Sequence, residues 1–111
     1  MAEAGWLIHE PSGRRLGAAV VLNTMQERLG GMLLTGVVPG VFNGIPDFWV
    51  HSVGMRKPID VAFCDKNGRV LKIMTLQPNR VAPPVLRTKM IWEAPVGGFV
   101  GVAKGDTLRC G

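Results

Sequence analysis

The residues best suited to carry chemistry lie near the centre of the sequence, where His51 is followed by Asp60. Asp60 interrupts an apolar alternation over residues 59–64, and an aspartate in a half-buried strand needs a polar partner. A carboxylate can orient an imidazole, so Asp60 could hold His51 as a general base or as a ligand-binding group. The alternative is structural, with the carboxylate accepting hydrogen bonds from the backbone amides of residues 54–57.

The sequence offers four side chains for nucleophilic catalysis: Ser12, Ser52, Cys64 and Cys110. None of them stands in a nucleophile elbow or beside a basic helix start. Ser52 cannot use the neighbouring His51, because adjacent residues of a strand point to opposite faces. No Cys-X-X-Cys, His-X-His or cluster of carboxylates occurs in the sequence, so we predict neither a metal site nor a cofactor. We also predict no catalytic residue.

Positive charge is concentrated in one part of the chain. The formal net charge is +5, and residues 55–90 carry eight Lys or Arg against Asp60 and Asp65. Such an excess is compatible with binding to nucleic acid or to an acidic protein. The basic residues are spaced singly, however, as solvent-facing strand and turn positions usually are. Both interpretations stay open at this point.

The pattern of elements is typical of a small β protein. Glycine (15) and proline (8) are abundant and favour short elements joined by tight turns. The clearest pattern is a hairpin over residues 59–76, in which Asn67-Gly68 predicts a type I′ turn with positive φ at both residues. A short helix is predicted near residues 24–31. We predict one mainly β domain over residues 1–111, a sandwich or barrel. Further strands are predicted at residues 5–9, 16–22, 48–51, 87–94 and 99–103.

The central segment resembles a known family. His51 and the run Pro58–Phe63, with the Gly-Met pair between them, are similar to a segment of the domain-of-unknown-function 192 family. That resemblance implies a compact mainly β domain with jelly-roll-like packing, and it implies no established activity. This sequence departs from the family pattern at Thr35, where an arginine is usual, and at Asn79, where tryptophan or cysteine is frequent. Four other segments also resemble pieces of the family pattern and occur in the family's order along the chain, at residues 28–33, 77–80, 92–97 and 104–108.

The location of the protein is predicted from what the sequence lacks. No apolar run approaches the roughly 18 residues of a transmembrane helix, so we expect no membrane insertion. The sequence begins without the basic and apolar regions of a signal peptide, and its two cysteines do not form a disulfide framework. These features predict a cytoplasmic location and leave the oligomeric state open.

We predict a non-catalytic binding module for a small polar or saccharide-like ligand, on the analogy of the fold. The alternative is binding of nucleic acid or of an acidic protein through residues 55–90. A third hypothesis is a hydrolase that uses His51 and Asp60. The residues predicted to contact the ligand are His51, Asp60, Arg56, Arg80 and Glu93.

Overall fold

The computed structural model describes residues 3–22 and 40–111, and the regular elements there are all strands. This confirms the predicted mainly β fold class. The helix predicted near residues 24–31 lies outside the described residues. The seven strands are, in chain order, β1 (Glu3–His9), β2 (Arg14–Val21), β3 (Val41–Ile45), β4 (Ile59–Cys64), β5 (Val70–Leu76), β6 (Met90–Pro95) and β7 (Leu108–Cys110).

The strands form a single sheet in the order β5-β4-β6-β3-β2-β1-β7. Neighbouring strands run antiparallel, except that β2 and β3 are parallel. The sheet curls until its two edges approach at one end. There the Leu108 amide donates to the Gly68 carbonyl at 2.9 Å, and Arg69 forms an isolated bridge with Thr107. The result is a half-barrel, and the jelly-roll packing implied by the resemblance stays a prediction.

The predicted central hairpin is present, but its turn is of another type. β4 and β5 pair antiparallel, with a register shift near the end of β4. Gly68 has positive φ (82°) whereas Asn67 does not, so the type I′ prediction is wrong. The Asp65 carboxylate accepts the amides of Asn67 (2.8 Å) and Arg69 (3.0 Å) and so closes a three-residue loop that ends in a glycine bulge. The same hydrogen bonds, first that of Arg69, lower the pKa of Asp65.

Strand β4 is buried on both faces of the sheet. Ile59, Val61 and Phe63 belong to one apolar cluster, which includes loop residues before and after the hairpin. Ala62 and Cys64 belong to a second cluster, which gathers inward residues of β1, β2, β3 and β6. Because both faces are covered, the strand needs apolar residues at almost every position. That requirement explains the near-continuous apolar run in the sequence.

Two of the predicted strands are not strands. Residues 48–51 make one isolated bridge, through His51, and are otherwise irregular. Residues 99–101 form turns and residues 102–103 are irregular, because Gly97 (φ 94°) and Gly101 (φ 86°) take backbone conformations that a strand does not allow. The segment that contains His51 is therefore a loop that lies beside the sheet.

Candidate functional site

Asp60 has polar partners, but they are not the ones that the sequence suggested. Its Oδ1 accepts a hydrogen bond from the Thr75 hydroxyl (2.6 Å), and its Oδ2 accepts one from the Gly97 amide (2.9 Å). In the loop before β4, where the donors were expected, the Gly54 amide donates to Asn79 Oδ1 instead. Asp60 therefore fastens the turn after β6 to the central hairpin.

His51 lies on the surface and is held by residues close to it in sequence. Its ring centroid is 5.6 Å from that of Trp49, and its Nδ1 accepts the Val53 amide at 3.2 Å. Over residues 3–22 and 40–111, no hydrogen bond or ion pair joins His51 to Asp60. The hydrolase hypothesis gains no support from these contacts.

Glu93 and Asp60 lie on opposite faces of the sheet. Across the β4–β6 pairing, Glu93 stands opposite Val61, whereas Asp60 stands opposite Ala94. Cross-strand partners share a face and neighbours in a strand alternate, so one pocket cannot hold both carboxylates. Glu93 is also only 1% exposed, which places it below the reach of a surface ligand. The other two predicted ligand-binding residues, Arg56 and Arg80, are both exposed.

A buried serine joins the loop before β4 to the loop after β5. Ser52 is fully buried, and its hydroxyl donates to the Gln77 carbonyl and accepts the Arg80 amide at 3.0 Å. Its backbone adds two hydrogen bonds to the loop after β5, one to the Arg80 carbonyl (2.8 Å) and one from the Asn79 amide (3.0 Å). Asn79 has φ 58°, in the left-handed region that asparagine tolerates. Ser52 thus has a structural role, because its hydroxyl holds the two loops together.

A cleft lies between the segment after β3 and the loop before β6. It has a volume of about 510 Å³ and is lined by residues 46–48 and 84–89. Phe48 is 55% exposed and Leu86 is 85% exposed, so the walls present apolar surface to solvent. Thr88 is only 3% exposed, and its Oγ1 has no hydrogen-bond partner in the described part of the chain. A buried hydroxyl without a partner is uncommon in native proteins and calls for an explanation.

Positive charge and a strained backbone occur at the same cleft. Arg87 and Lys89 are exposed on the loop that lines it. Arg87 has φ 74°, a conformation that costs about 1 kcal/mol or more for a residue other than glycine and that clusters at binding sites. The Lys89 amide donates to the Cys64 carbonyl at 2.8 Å and ties the loop to β4. The sequence predicted a strand from residue 87, and the left-handed residue explains why the strand begins only at Met90.

A second group of polar side chains meets at the end of β1. His9 Nδ1 lies 2.7 Å from Ser12 Oγ, and His9 Nε2 lies 2.8 Å from Asp106 Oδ2. Asp106 Oδ2 also accepts the Ala103 amide at 2.9 Å. His9 is buried whereas Ser12 is exposed. Sequence reasoning considered Ser12 without finding these partners, since Asp106 is 97 residues from His9 along the chain.

The carboxylate of this group predicts a pH dependence of stability. The hydrogen bond from His9, and after it that from the Ala103 amide, lowers the pKa of Asp106. A carboxyl with a lowered folded-state pKa stabilises the fold above its unfolded value of about 3.9, and this contribution is lost as pH falls through the folded-state pKa. We expect Asp106→Asn to flatten the decline in the free energy of unfolding below about pH 5, measured by urea denaturation. An acid decline equal to that of the wild type would contradict this.

Metal-ligating side chains and the thiol of Cys64 are the remaining candidates for chemistry in the part of the chain that the structure describes. Within residues 3–22 and 40–111, no group of three or more His, Cys, Asp or Glu side chains could hold a metal ion. Burial, with a contribution from the charge of Asp65, raises the pKa of the Cys64 thiol to about 12, so it packs as an apolar residue. In the same two ranges, no helix has the length and apolar character needed to cross a membrane.

Comparison with known proteins supports the fold and gives no activity. No protein-family profile matches the chain. A UPF0127 protein from Pyrococcus horikoshii is 42% identical over 48 residues, which are 43% of this chain and 42% of that relative. The chain thus matches less than half of the relative's length. Membership of the domain-of-unknown-function 192 family stays a prediction.

Two crystal structures are similar over nearly the whole chain. One, of a proposed transcription regulator from Sinorhizobium meliloti, has a TM-score of 0.76 and 19% identity, and the match covers 99% of this chain and 94% of that one. The other, of a protein of unknown function from Novosphingobium aromaticivorans, has a TM-score of 0.65 and 18% identity, over 98% and 92% of the two chains. At such identities the likeness shows the fold alone. This chain therefore has the fold of these two proteins and is similar over part of its length to a member of an uncharacterised conserved family.

Proposed function

We propose that this protein is a binding module for a small polar ligand, and that the ligand occupies the cleft between residues 46–48 and 84–89. The observation that carries this proposal is the wall of the cleft, where the exposed cations Arg87 and Lys89 line the same space as the exposed ring of Phe48. Asp47 is the acidic residue of the lining, so positive charge exceeds negative charge there. Thr88 also lines the cleft, but its hydroxyl is buried and a ligand does not reach it.

The lining of the cleft favours an acidic ligand with an apolar or sugar-like body. Phe48 presents an exposed ring, against which a flat ligand face packs well. Arg87 and Lys89 supply positive charge on one wall, and an arginine binds a carboxylate or phosphate through two parallel hydrogen bonds. Few polar groups in an otherwise apolar cleft are typical of small-molecule sites. We therefore expect a small carboxylate or a sugar phosphate.

Two of the residues predicted from the sequence fit this site better than the others. The loop that contains His51 pairs with the chain just before the cleft loop, through the bridge of His51 to Val81. Arg80 is the residue before that bridge and is exposed. We propose that His51 and Arg80 extend the cleft on this side. Asp60 and Glu93 are engaged in the sheet on opposite faces, and we do not include them.

Arg87→Ala tests the proposal, because it removes the guanidinium group from the cleft wall. We expect the variant to bind an acidic ligand about tenfold more weakly, which corresponds to about 1.4 kcal/mol. We also expect its free energy of unfolding to stay within about 0.5 kcal/mol of the wild-type value, because Arg87 is exposed. The measurement is a nuclear magnetic resonance titration with benzoate and sugar phosphates, combined with urea denaturation.

Lys66→Ala provides the matched control. It removes an exposed charge at the tip of the central hairpin and should leave the affinity unchanged. Resonance shifts confined to the surroundings of Asp60 would contradict the cleft as the site. So would equal affinity of the wild type and Arg87→Ala for every ligand that binds.

Single-stranded nucleic acid is the second candidate, and a specific observation favours it. The exposed rings of Phe48 and Trp49 lie next to each other in sequence, beside a cleft wall with Arg87 and Lys89. Aromatic side chains within a basic groove are the usual platform for stacked bases. Binding of this kind should weaken steeply with salt, because each neutralised phosphate releases counterions. An oligonucleotide affinity that does not change with salt would exclude it.

A further inference from the structure

We propose that Ser12, His9 and Asp106 form a nucleophilic serine site that takes acyl groups from small activated esters. The activity is separate from the ligand binding proposed above, because its residues lie at the end of β1, in the turn after β1 and just before β7. The hydroxyl of Ser12, the imidazole of His9 and the carboxylate of Asp106 are linked in that order by contacts of 2.7 and 2.8 Å. A nucleophile, a base and a group that orients the base are recognised by this geometry and not by their order in the chain.

The carboxylate fixes which nitrogen of His9 carries the proton. An ionised carboxylate only accepts hydrogen bonds, so the contact of Asp106 with Nε2 requires a proton on that nitrogen. The Nδ1 lone pair is then directed to Ser12 and accepts its hydroxyl hydrogen. The Ala103 amide, 2.9 Å from Asp106 Oδ2, keeps the carboxylate in place. His9 is 6% exposed, so water competes little for either nitrogen.

The turn that carries Ser12 presents it to solvent. Ser12 lies between Pro11 and Gly13 in the turn from β1 to β2, and all three residues are exposed. The Gly13 amide donates to the His9 carbonyl at 2.8 Å, and Gly13 has φ 71°, so the backbone of the turn is fixed while Ser12 Oγ lies 2.7 Å from the imidazole. An exposed position suits small, unhindered esters and gives little selectivity among them.

The reaction balances with water as the second reactant. Ser12 Oγ attacks the carbonyl carbon of the ester while its proton passes to His9 Nδ1, and the imidazolium so formed faces the Asp106 carboxylate. The bond to the leaving alcohol or phenol breaks, and the leaving group takes the proton from His9. Water then attacks the acyl-serine with His9 as base, which releases the acid and restores the hydroxyl.

Acetylation by para-nitrophenyl acetate tests the proposal. We expect rapid mixing to show para-nitrophenolate release, and peptide mapping of quenched protein to place the acetyl group on Ser12. Ser12→Ala should abolish that modification. Asp106→Asn should slow the release about a hundredfold, at the lower end of what a positioned general base contributes. Lys104→Ala removes an exposed amine two residues from Asp106 and serves as the control, with labelling of Ser12 unchanged.

Two results would overturn the proposal. One is acetylation spread over lysines with Ser12 unmodified. The other is an equal rate of Ser12 labelling in the wild type and in Asp106→Asn. Circular dichroism shows whether Asp106→Asn is folded. If Asp106→Asn is unfolded, the Ser12→Cys variant decides the question. A thiol beside His9 should be acetylated faster than the exposed thiol of Cys110. An acetylation rate equal to that of Cys110 would show that position 12 is not activated.

Discussion

Gly44→Ala should destabilise the fold by about 3 kcal/mol, the upper end of what overpacking usually costs. Gly44 lies in β3 directly opposite Trp92 of β6. A Cβ atom at Gly44 would lie 2.6 Å from the nearest atom of the indole ring, which is far inside van der Waals contact. Trp92 is 3% exposed and packed in the second apolar cluster, so the ring has no room to move away. Urea denaturation monitored by circular dichroism measures the loss.

A double-mutant cycle shows whether the clash is the cause. Trp92→Leu is itself destabilising, because it removes buried aromatic surface and leaves a cavity. In the Trp92→Leu background, however, Gly44→Ala should cost about 1 kcal/mol or less, since the opposing ring atoms are absent. The same cost of Gly44→Ala in both backgrounds would mean that the close approach to the indole is not what requires glycine.

Ser52→Ala should lower the free energy of unfolding by about 2–3 kcal/mol. The hydroxyl satisfies both the Gln77 carbonyl and the Arg80 amide inside the protein, and alanine satisfies neither. Each buried polar group left without a partner costs about 1–3 kcal/mol, and part of that cost is recovered if water enters. The loss should be seen as a lower midpoint of urea denaturation with an unchanged slope.

The neighbouring residue provides the control for Ser52. Val53→Ala changes a side chain that is 52% exposed in the same loop, and we expect an effect within about 0.5 kcal/mol. Faster amide exchange of Arg80 in Ser52→Ala would locate the damage at the lost hydrogen bond. A stability equal to that of Val53→Ala would contradict the structural role assigned to Ser52.

The sequence predicted local features of the fold well. The hairpin over residues 59–76 follows from alternation of apolar residues and from the Asn-Gly pair, both of which act within a few residues. The type of turn was wrong because Asp65 captures the amides of Asn67 and Arg69, a contact that the dipeptide alone does not indicate. The prediction of a strand at residues 48–51 was wrong, because this short segment of alternating apolar residues lies beside the sheet and not within it.

The arrangement of side chains from distant segments could not be predicted in the same way. Asp60 needed a partner, as its sequence context indicated, but the donor is the Gly97 amide, brought there by the β4–β6 pairing. The cleft has walls from residues 46–48 and 84–89, and the antiparallel pairing of β3 with β6, with Ile45 opposite Ile91, brings these segments together. The Thr88 hydroxyl is buried without a hydrogen-bond partner among the described residues. This depends on packing between distant segments, so the sequence pattern could not predict it.

The pairing of β1 with β7 sets the pace at which this protein can fold. Leu7 is opposite Cys110, so the two strands meet only after a loop of nearly the whole chain has closed. Closing so long a loop costs conformational entropy before the contacts between the two strands form. Folds dominated by such distant pairings have folding times of about milliseconds to seconds. On the ribosome, β1 is made long before β7, so the edge of β1 that β7 covers in the fold stays unpaired in the nascent chain, and unpaired strand edges are prone to aggregate.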